Sequence, residues 1–262
     1  MIGHLSRDVV DGGPVRVGGG SWHAARALHV LRRGAIVCAK CAESDAERFR
    51  RQLAALDVPV TLATGGETTG FSMSYDAVGR RTMTVDAVGE PWSEDDLPAR
   101  LLRRVEWLHV APLLRGDVDA ALLERLAHGR RLLLDGQGLV RRREPGPLSL
   151  DDDFDRGLLR HVTVLKLAEE EALVVAGGVD AGSLRALGVP EVLVTFGLLG
   201  SFVVTHDGAE HVQAHAVEGD PTGAGDAYAV SYAAARADGH GPVSAARRAT
   251  AVVSSLLSGS PA

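Results

Sequence analysis

The chain has 262 residues, 45% of them hydrophobic, and a formal net charge of −6. That length supports one large α/β domain or two small ones with a sizeable core, and the interspersed acids and bases argue against a nucleic-acid binder, which carries a basic face. No apolar stretch reaches the ~18 residues of a membrane span and no signal peptide opens the chain, so a cytoplasmic location is expected.

Residues 1–5 read as the end of a strand. A glycine-rich passage follows: Gly12-Gly13-Pro14, then Val15-Arg16-Val17 and Gly18-Gly19-Gly20. Residues 21–33 have helical spacing, and Gly34 suits a helix stop. Residues 35–39 are strand-like and lead into the two cysteines, Cys38 and Cys41. Their C-x-x-C spacing fits a redox dithiol or half a zinc site, but zinc takes about four ligands and no second pair exists. Two structural thiols at a strand end are expected. Residues 45–56 form an amphipathic helix pattern and 58–62 a strand.

Residues 71–75 and 81–85 alternate in polarity around a turn at 76–79, which predicts a hairpin with one wet face. From Pro91 onward the pattern becomes α/β alternation. Helices are predicted over 94–103, 118–127, 169–175 and 181–187. Strands are predicted over 105–110, 131–135, 162–165 and 192–195. The run Arg141-Arg142-Arg143, near Glu144 and Asp151 to Asp153, reads as a solvated loop. Segments 201–205 and 209–214 look like a meander, and helices over 224–237 and 243–257 close the chain. Repeated β-α units ask for a parallel sheet covered on both faces. Ligands in such folds sit at the carboxyl ends of the strands. Asp135-Gly136-Gln137-Gly138, Lys166 and Thr195-Phe196-Gly197 fall at that end.

The most informative stretch is Asp220-Pro221-Thr222-Gly223-Ala224-Gly225-Asp226, immediately before a helix-forming run. A helix start has unpaired N–H groups and the positive end of the dipole, so it attracts anions. Glycines allow close approach of a phosphate, and an acid in the same turn is placed to take a proton from an attacking hydroxyl. Neither a G-x-G-x-x-G fingerprint nor a Walker A pattern is present. The ten histidines show no metal spacing.

This DPTGAGDAY motif, late in the chain and opening a long helix, resembles the second signature of the PfkB/ribokinase family of carbohydrate and nucleoside kinases. Other segments match in the same order. Residues 3–8 resemble the family's first strand and its substrate-binding acid, Asp8. Gly19 and Gly20 resemble the glycine pair of the first signature. Residues 166–171 resemble K-P-N-x-x-E, and residues 195–201 the T-x-G-x-x-G nucleotide loop. The resemblance implies a three-layer α/β/α ribokinase-like core over residues 1–262, with a mostly parallel sheet and a small β-sheet lid from about 12–18 and 68–88. It implies ATP and Mg2+ as donor and metal, and Asp226 as general base. The amides of Gly223, Ala224 and Gly225 would be the anion hole. Asp8, Gly19, Gly20 and Gln137 would face the acceptor, and Lys166, Thr195, Gly197 and Gly200 the nucleotide. Glu171 would organise magnesium water, and Asp220 a monovalent cation such as K+. The lid's exposed strand edges hint at lid-to-lid pairing in a homodimer.

Two departures stand out. No Asn follows Gly20, where the segment reads Ser-Trp-His-Ala-Ala-Arg, and Ala168 replaces the Asn of K-P-N-x-x-E. These changes argue against a standard ribokinase, and the DGQG and SWHAARAL segments are similar to those of a divergent branch that includes inositol kinases. The expected activity is phosphorylation of a hydroxyl on a small polyol: a sugar, a cyclitol or a nucleoside. The alternative is a non-catalytic protein of the same fold that binds nucleotide or sugar.

Overall fold

Strands that alternate with helices must pair in parallel, because each crossover carries the chain back to the same end of the sheet. The computed structural model describes residues 1–75, 81–214 and 220–259. Among these residues the strands, in chain order, begin with β1 (Ile2–His4), β2 (Ser6–Val10), β3 (Arg16–Gly18), β4 (Val37–Cys41), β5 (Val60–Thr64), β6 (Thr69–Tyr75) and β7 (Arg81–Ala87). They continue with β8 (Trp107–Ala111), β9 (Arg131–Asp135), β10 (Gly146–Pro147), β11 (Val164–Ala168), β12 (Glu191–Thr195), β13 (Ser201–Thr205) and β14 (Ala209–Val212). The main sheet has the order β14-β13-β12-β11-β9-β8-β1-β4-β5. It is parallel except at β13 and β14, which form the expected meander at one edge.

Alternate residues of the central strands point to opposite faces, and each face is covered. Leu132 and Leu134 of β9 join a core with Leu122, Leu126, Ala172 and Leu184, from helices Ala120–Ala127, Glu169–Ala176 and Ala181–Arg185. Leu133, between them, packs with Tyr228, Tyr232 and Ala249 on the other face, from helices Ala224–Ala237 and Pro242–Ser258. Helices Gly20–Leu31 and Glu43–Ala54 extend that second layer around Leu28, Phe49 and Leu53. The architecture is the three-layer α/β/α arrangement. Among the described residues no helix is long and apolar enough to cross a membrane.

The second, smaller sheet has the order β10-β7-β6-β2-β3 and forms the lid. It takes in β2 and β10, which sequence reasoning did not assign to it. The segment read as one first strand is split. β1 belongs to the main sheet, Leu5 donates its N–H to the Lys40 carbonyl at 2.9 Å, and the chain then enters the lid as β2. The predicted turn at 76–79 lies outside the described residues.

Other differences have local causes. The helix expected over 94–103 breaks into a 3-10 turn, Glu94–Asp96, and a short helix, Ala99–Leu102. Pro98 drives the preceding Leu97 to an extended conformation with ψ 133°. Cys38 lies inside β4 and Cys41 is its last residue, and both are buried free thiols. Burial pushes the Cys41 thiol up to about 11, with help from Asp45 and Glu43.

A buried polar link ties the helix Ala224–Ala237 to β12 of the sheet. The Tyr232 hydroxyl donates to Glu191 Oε2 at 2.6 Å, and Arg236 Nε reaches the same oxygen at 3.1 Å. Tyr232→Phe removes one donor but leaves Glu191 paired, so it is expected to cost about 1–1.5 kcal/mol in urea unfolding without changing activity.

Candidate active site

The site is built on the start of helix Ala224–Ala237. Its N-cap, Gly223, has φ 78°, a left-handed conformation that favours glycine, and a Cβ there would overlap the His23 ring. Ala224 donates its N–H to the Pro221 carbonyl at 3.0 Å, closing the turn. Among the described residues the N–H groups of Gly223, Gly225 and Asp226 have no acceptor. The unspent donors at this helix start are therefore Gly223, Gly225 and Asp226 itself, rather than Ala224.

Asp226, in the first helical turn, is half-buried, and a Cβ on Gly20 would lie 3.2 Å from its Oδ1. The first-signature glycines and the late motif thus meet. Burial pushes the Asp226 carboxyl up to about 7; Asp135 and Glu171 add to the rise, while Lys166 and Arg141 oppose it. These neighbours come from separate elements. Lys166 projects from β11, and a Cβ on Gly225 would lie 2.7 Å from its Nζ. Asp135 ends β9 and pairs with Lys166 at 3.3 Å. Arg141 follows the one-turn helix Gln137–Val140 and pairs with Glu171 at 3.5 Å. The run Arg141-Arg142-Arg143 is therefore not a solvated loop. Arg141 turns inward to the cleft, Arg143 ion-pairs with buried Asp117, and only Arg142 points outward, to Glu144 at 2.9 Å.

On the lid side, a cavity of about 70 Å³ is lined by Ser6, Asp8, Gly19, His23, Gln137, Arg141, Thr222, Gly223 and Asp226. Phe71, Met73, Met83 and Leu113 complete its wall. Asp8 is buried on β2 and accepts from Ser6 Oγ at 2.6 Å. A second chamber of about 330 Å³ adjoins it across Asp8, His23, Thr222 and Gly223, and is bounded by Trp22, Arg16 and Arg26. Burial and then Arg26 push the His23 imidazole down to about 4, so it is neutral near pH 7.

The remaining predicted residues lie apart from that cavity. Thr195 ends β12, where its hydroxyl donates to the Leu167 carbonyl at 3.3 Å. Gly197 and Gly200 bound a 3-10 turn that exposes Leu198 and Leu199. Since β12 flanks β11 on the side away from β9, this loop lies beyond Lys166 as seen from the lid. Glu171 is buried and already engaged: its Oε2 accepts from the Ala168 N–H at 2.8 Å, and its other oxygen faces Arg141. Asp220 is exposed and accepts from the Thr222 N–H at 2.9 Å. Among the described residues no cluster of three or more metal-ligating side chains forms.

The sequence did not point to Arg141, to the apolar lid wall or to His109 of β8, whose Nε2 lies 2.6 Å from Asp135 Oδ2. Arg141 was concealed by its basic neighbours. His109 lies in mid-strand, where a histidine reads as core. The lid side chains follow ordinary strand alternation and carry no signal of their own.

An unfolded chain releases an aspartate proton near pH 4, whereas folded Asp226 holds its proton to about 7. Folding therefore opposes ionisation, and the stability of the native protein should fall, relative to Asp226→Asn, as pH rises from about 4 to about 7. Thermal melts of both proteins across that range check the direction; a constant difference between them would contradict the raised pKa.

Residues 13–259 match the model of the pfkB family carbohydrate kinases. Among solved structures, the chain resembles a pyrophosphate-dependent kinase of the ribokinase family complexed with a pyrophosphate analog and myo-inositol, with 25% identity and a TM-score of 0.84 over 100% of this chain and 95% of that one. It resembles a Burkholderia thailandensis nucleoside kinase in complex with inosine, at 17% identity and a TM-score of 0.76 over 98% and 90% of the two chains. Ribokinase from Thermotoga maritima aligns at 15% identity and a TM-score of 0.74, covering 98% and 93%. The last two likenesses bear on the fold alone.

Proposed function

Because the chain belongs to the pfkB family of carbohydrate kinases, we propose that it transfers a phosphoryl group to a hydroxyl of a small polyol, a sugar, a cyclitol or a nucleoside, with Asp226 as general base. One observation carries this reading. A carboxyl with its pKa raised to about 7 sits in the same turn as unspent helix-start amides, and opens onto a cleft beneath the lid. A base is most effective when its pKa lies near the working pH.

In the proposed reaction the acceptor lies between Asp8, Gln137 and the lid wall, with one hydroxyl toward Asp226. Asp226 takes that hydroxyl's proton as its oxygen bonds to the transferred phosphorus, and the bond from phosphorus to the donor's bridging oxygen breaks. The Gly223, Gly225 and Asp226 amides hold the transferred phosphoryl oxygens, where charge builds up. Lys166 offers its ammonium to the same oxygens. Burial works against that charge, but Asp135, Glu171 and Asp226 raise the Lys166 pKa above its ordinary value. Closure of the lid over the acceptor excludes water and suppresses hydrolysis of the donor.

The donor in this reading is ATP, held along Lys166 and the 195–200 loop. Magnesium bound to donor phosphates would neutralise their charge. Glu171 fits that ion only through water, since its oxygens are turned to Ala168 and Arg141. Asp220 is the residue on hand for a monovalent cation. A second donor reading is pyrophosphate. The likeness to a pyrophosphate-dependent kinase, at 25% identity over the whole chain, favours it. So does the cationic pair Lys166 and Arg141, close to the anion hole.

Purified protein is to be incubated with ATP or pyrophosphate and a panel of cyclitols, pentoses, hexoses and nucleosides. The expected outcome is a phosphorylated polyol of the corresponding mass with one donor. Asp226→Asn should retain donor binding and lose about 10²–10⁴-fold in kcat. Ligand-induced thermal shifts without turnover of any pair would favour a non-catalytic binding protein instead.

A further inference from the structure

Asp135 is fully buried at the carboxyl end of β9, between strands that present a histidine and a lysine to it. His109 of β8 places Nε2 2.6 Å from Asp135 Oδ2, and Lys166 of β11 places Nζ 3.3 Å from Asp135 Oδ1. All three are almost wholly out of water: Asp135 is 0%, His109 2% and Lys166 6% exposed. Such a set is a poor way to stabilise a sheet. Desolvation of a buried ion pair offsets most of its attraction, and apolar side chains of similar volume usually do as well. Among the described residues His109 Nδ1 and Asp135 Oδ1 are also buried without a hydrogen bond, Oδ1 meeting Lys166 as an ion pair only, and such unmet buried groups are a further cost. The arrangement therefore points outward, along Lys166 to the backbone of Gly225.

We propose that Asp135, braced by His109, is the positioning residue that holds the Lys166 ammonium against the anion hole. The inference rests on the kinase reading for its consequence in catalysis, and on the geometry alone for the placement of the ammonium. A lysine has four rotatable bonds and would otherwise follow solvent or pair directly with Asp226. Asp135 draws it back from that carboxylate and leaves Asp226 free to accept a proton. His109 fixes the Asp135 carboxylate so that Oδ1 is left for Lys166.

The charged groups that face Asp226 are Asp135 on β9, Lys166 on β11, Arg141 after the Gln137–Val140 helix and Glu171 on the Glu169–Ala176 helix. Asp8 of the lid and His23, neutral near pH 7, share its cavity. Removing Asp135's charge therefore takes a like charge away from Asp226 and frees Lys166 to approach it. Both effects lower the pH at which Asp226 loses its proton. Removing Lys166's charge does the opposite.

The test is the pH dependence of kcat for wild type, Asp135→Asn, Lys166→Met, His109→Phe and His109→Gln, with calorimetric titration of inorganic pyrophosphate. Asp135→Asn should move the acidic limb to lower pH and reduce maximal kcat, by up to about 10²-fold for a misplaced group. Lys166→Met should move the limb to higher pH. His109→Phe should lower kcat without moving the limb, and His109→Gln, which can still donate to Asp135, should restore it. Pyrophosphate should bind the native protein and bind Asp135→Asn and Lys166→Met at least about tenfold more weakly. Superimposable pH profiles, full activity of His109→Phe, or equal pyrophosphate affinity in all variants would overturn the proposal. If the native protein turns over no acceptor yet the pyrophosphate differences appear, the kinase reading fails and the positioning role stands. Should Asp135→Asn not fold, the Lys166 and His109 variants decide.

Discussion

The site depends on an imbalance of charge held away from water. Asp226, Asp135 and Glu171 face Lys166 and Arg141 around one helix start. Three carboxylates against two cations cannot all ionise cheaply where solvent is scarce. Two of the carboxylates have both a hydrogen bond and an ion pair: Asp135 with His109 and Lys166, and Glu171 with the Ala168 amide and Arg141. Asp226 has neither a side-chain hydrogen bond nor an ion pair within 4.0 Å among the described residues, so it is the group that keeps its proton. In the proposed reaction this excess acid of near-neutral pKa serves as the base, next to helix-start amides that attract an anion.

The fold supplies this arrangement because it brings strand ends together. β8, β9 and β11 are neighbours that run in the same direction, so His109, Asp135 and Lys166 approach one another although 57 residues separate the first from the last in sequence. The helix that carries Asp226 packs across the sheet and places its start over those ends. Crossing from β1 into the lid at Leu5 does the rest, setting Asp8 opposite Asp226 in one cavity. The crossing is braced by His4 and Asp117, 3.3 Å apart, and Asp117 also accepts from the Leu113 and Leu114 amides. Main sheet, lid and the cleft between them are thereby coupled at one point.

Much of this was legible in the sequence, and the parts that were not have common causes. The β-α alternation, the edge meander and the limits of β9 and of the Ala224–Ala237 helix follow from periodicity and from Gly and Asp at helix starts. The lid hairpin showed in its alternation, but β2 did not, because Ser6 to Val10 carries on from β1 without a breaker. The two residues of β10 are too few to leave a pattern. At the site, glycines and acids beside a helix start identify themselves. Arg141 does not, since its inward turn is decided by Glu171, which lies thirty residues away. The charge balance on Asp226 is a property of several strands meeting, and no single segment contains it.

The most direct test is the ionisation of Asp226 itself. Carbon-13 NMR of aspartate carboxyls, titrated in the native protein and assigned by loss of the resonance in Asp226→Asn, reports it without reference to any substrate. A midpoint of about 7 is expected for this group. A midpoint near 4, the ordinary value for an aspartate, would show instead that burial and the surrounding charges leave Asp226 an unperturbed carboxylate, unsuited to hold a proton at neutral pH.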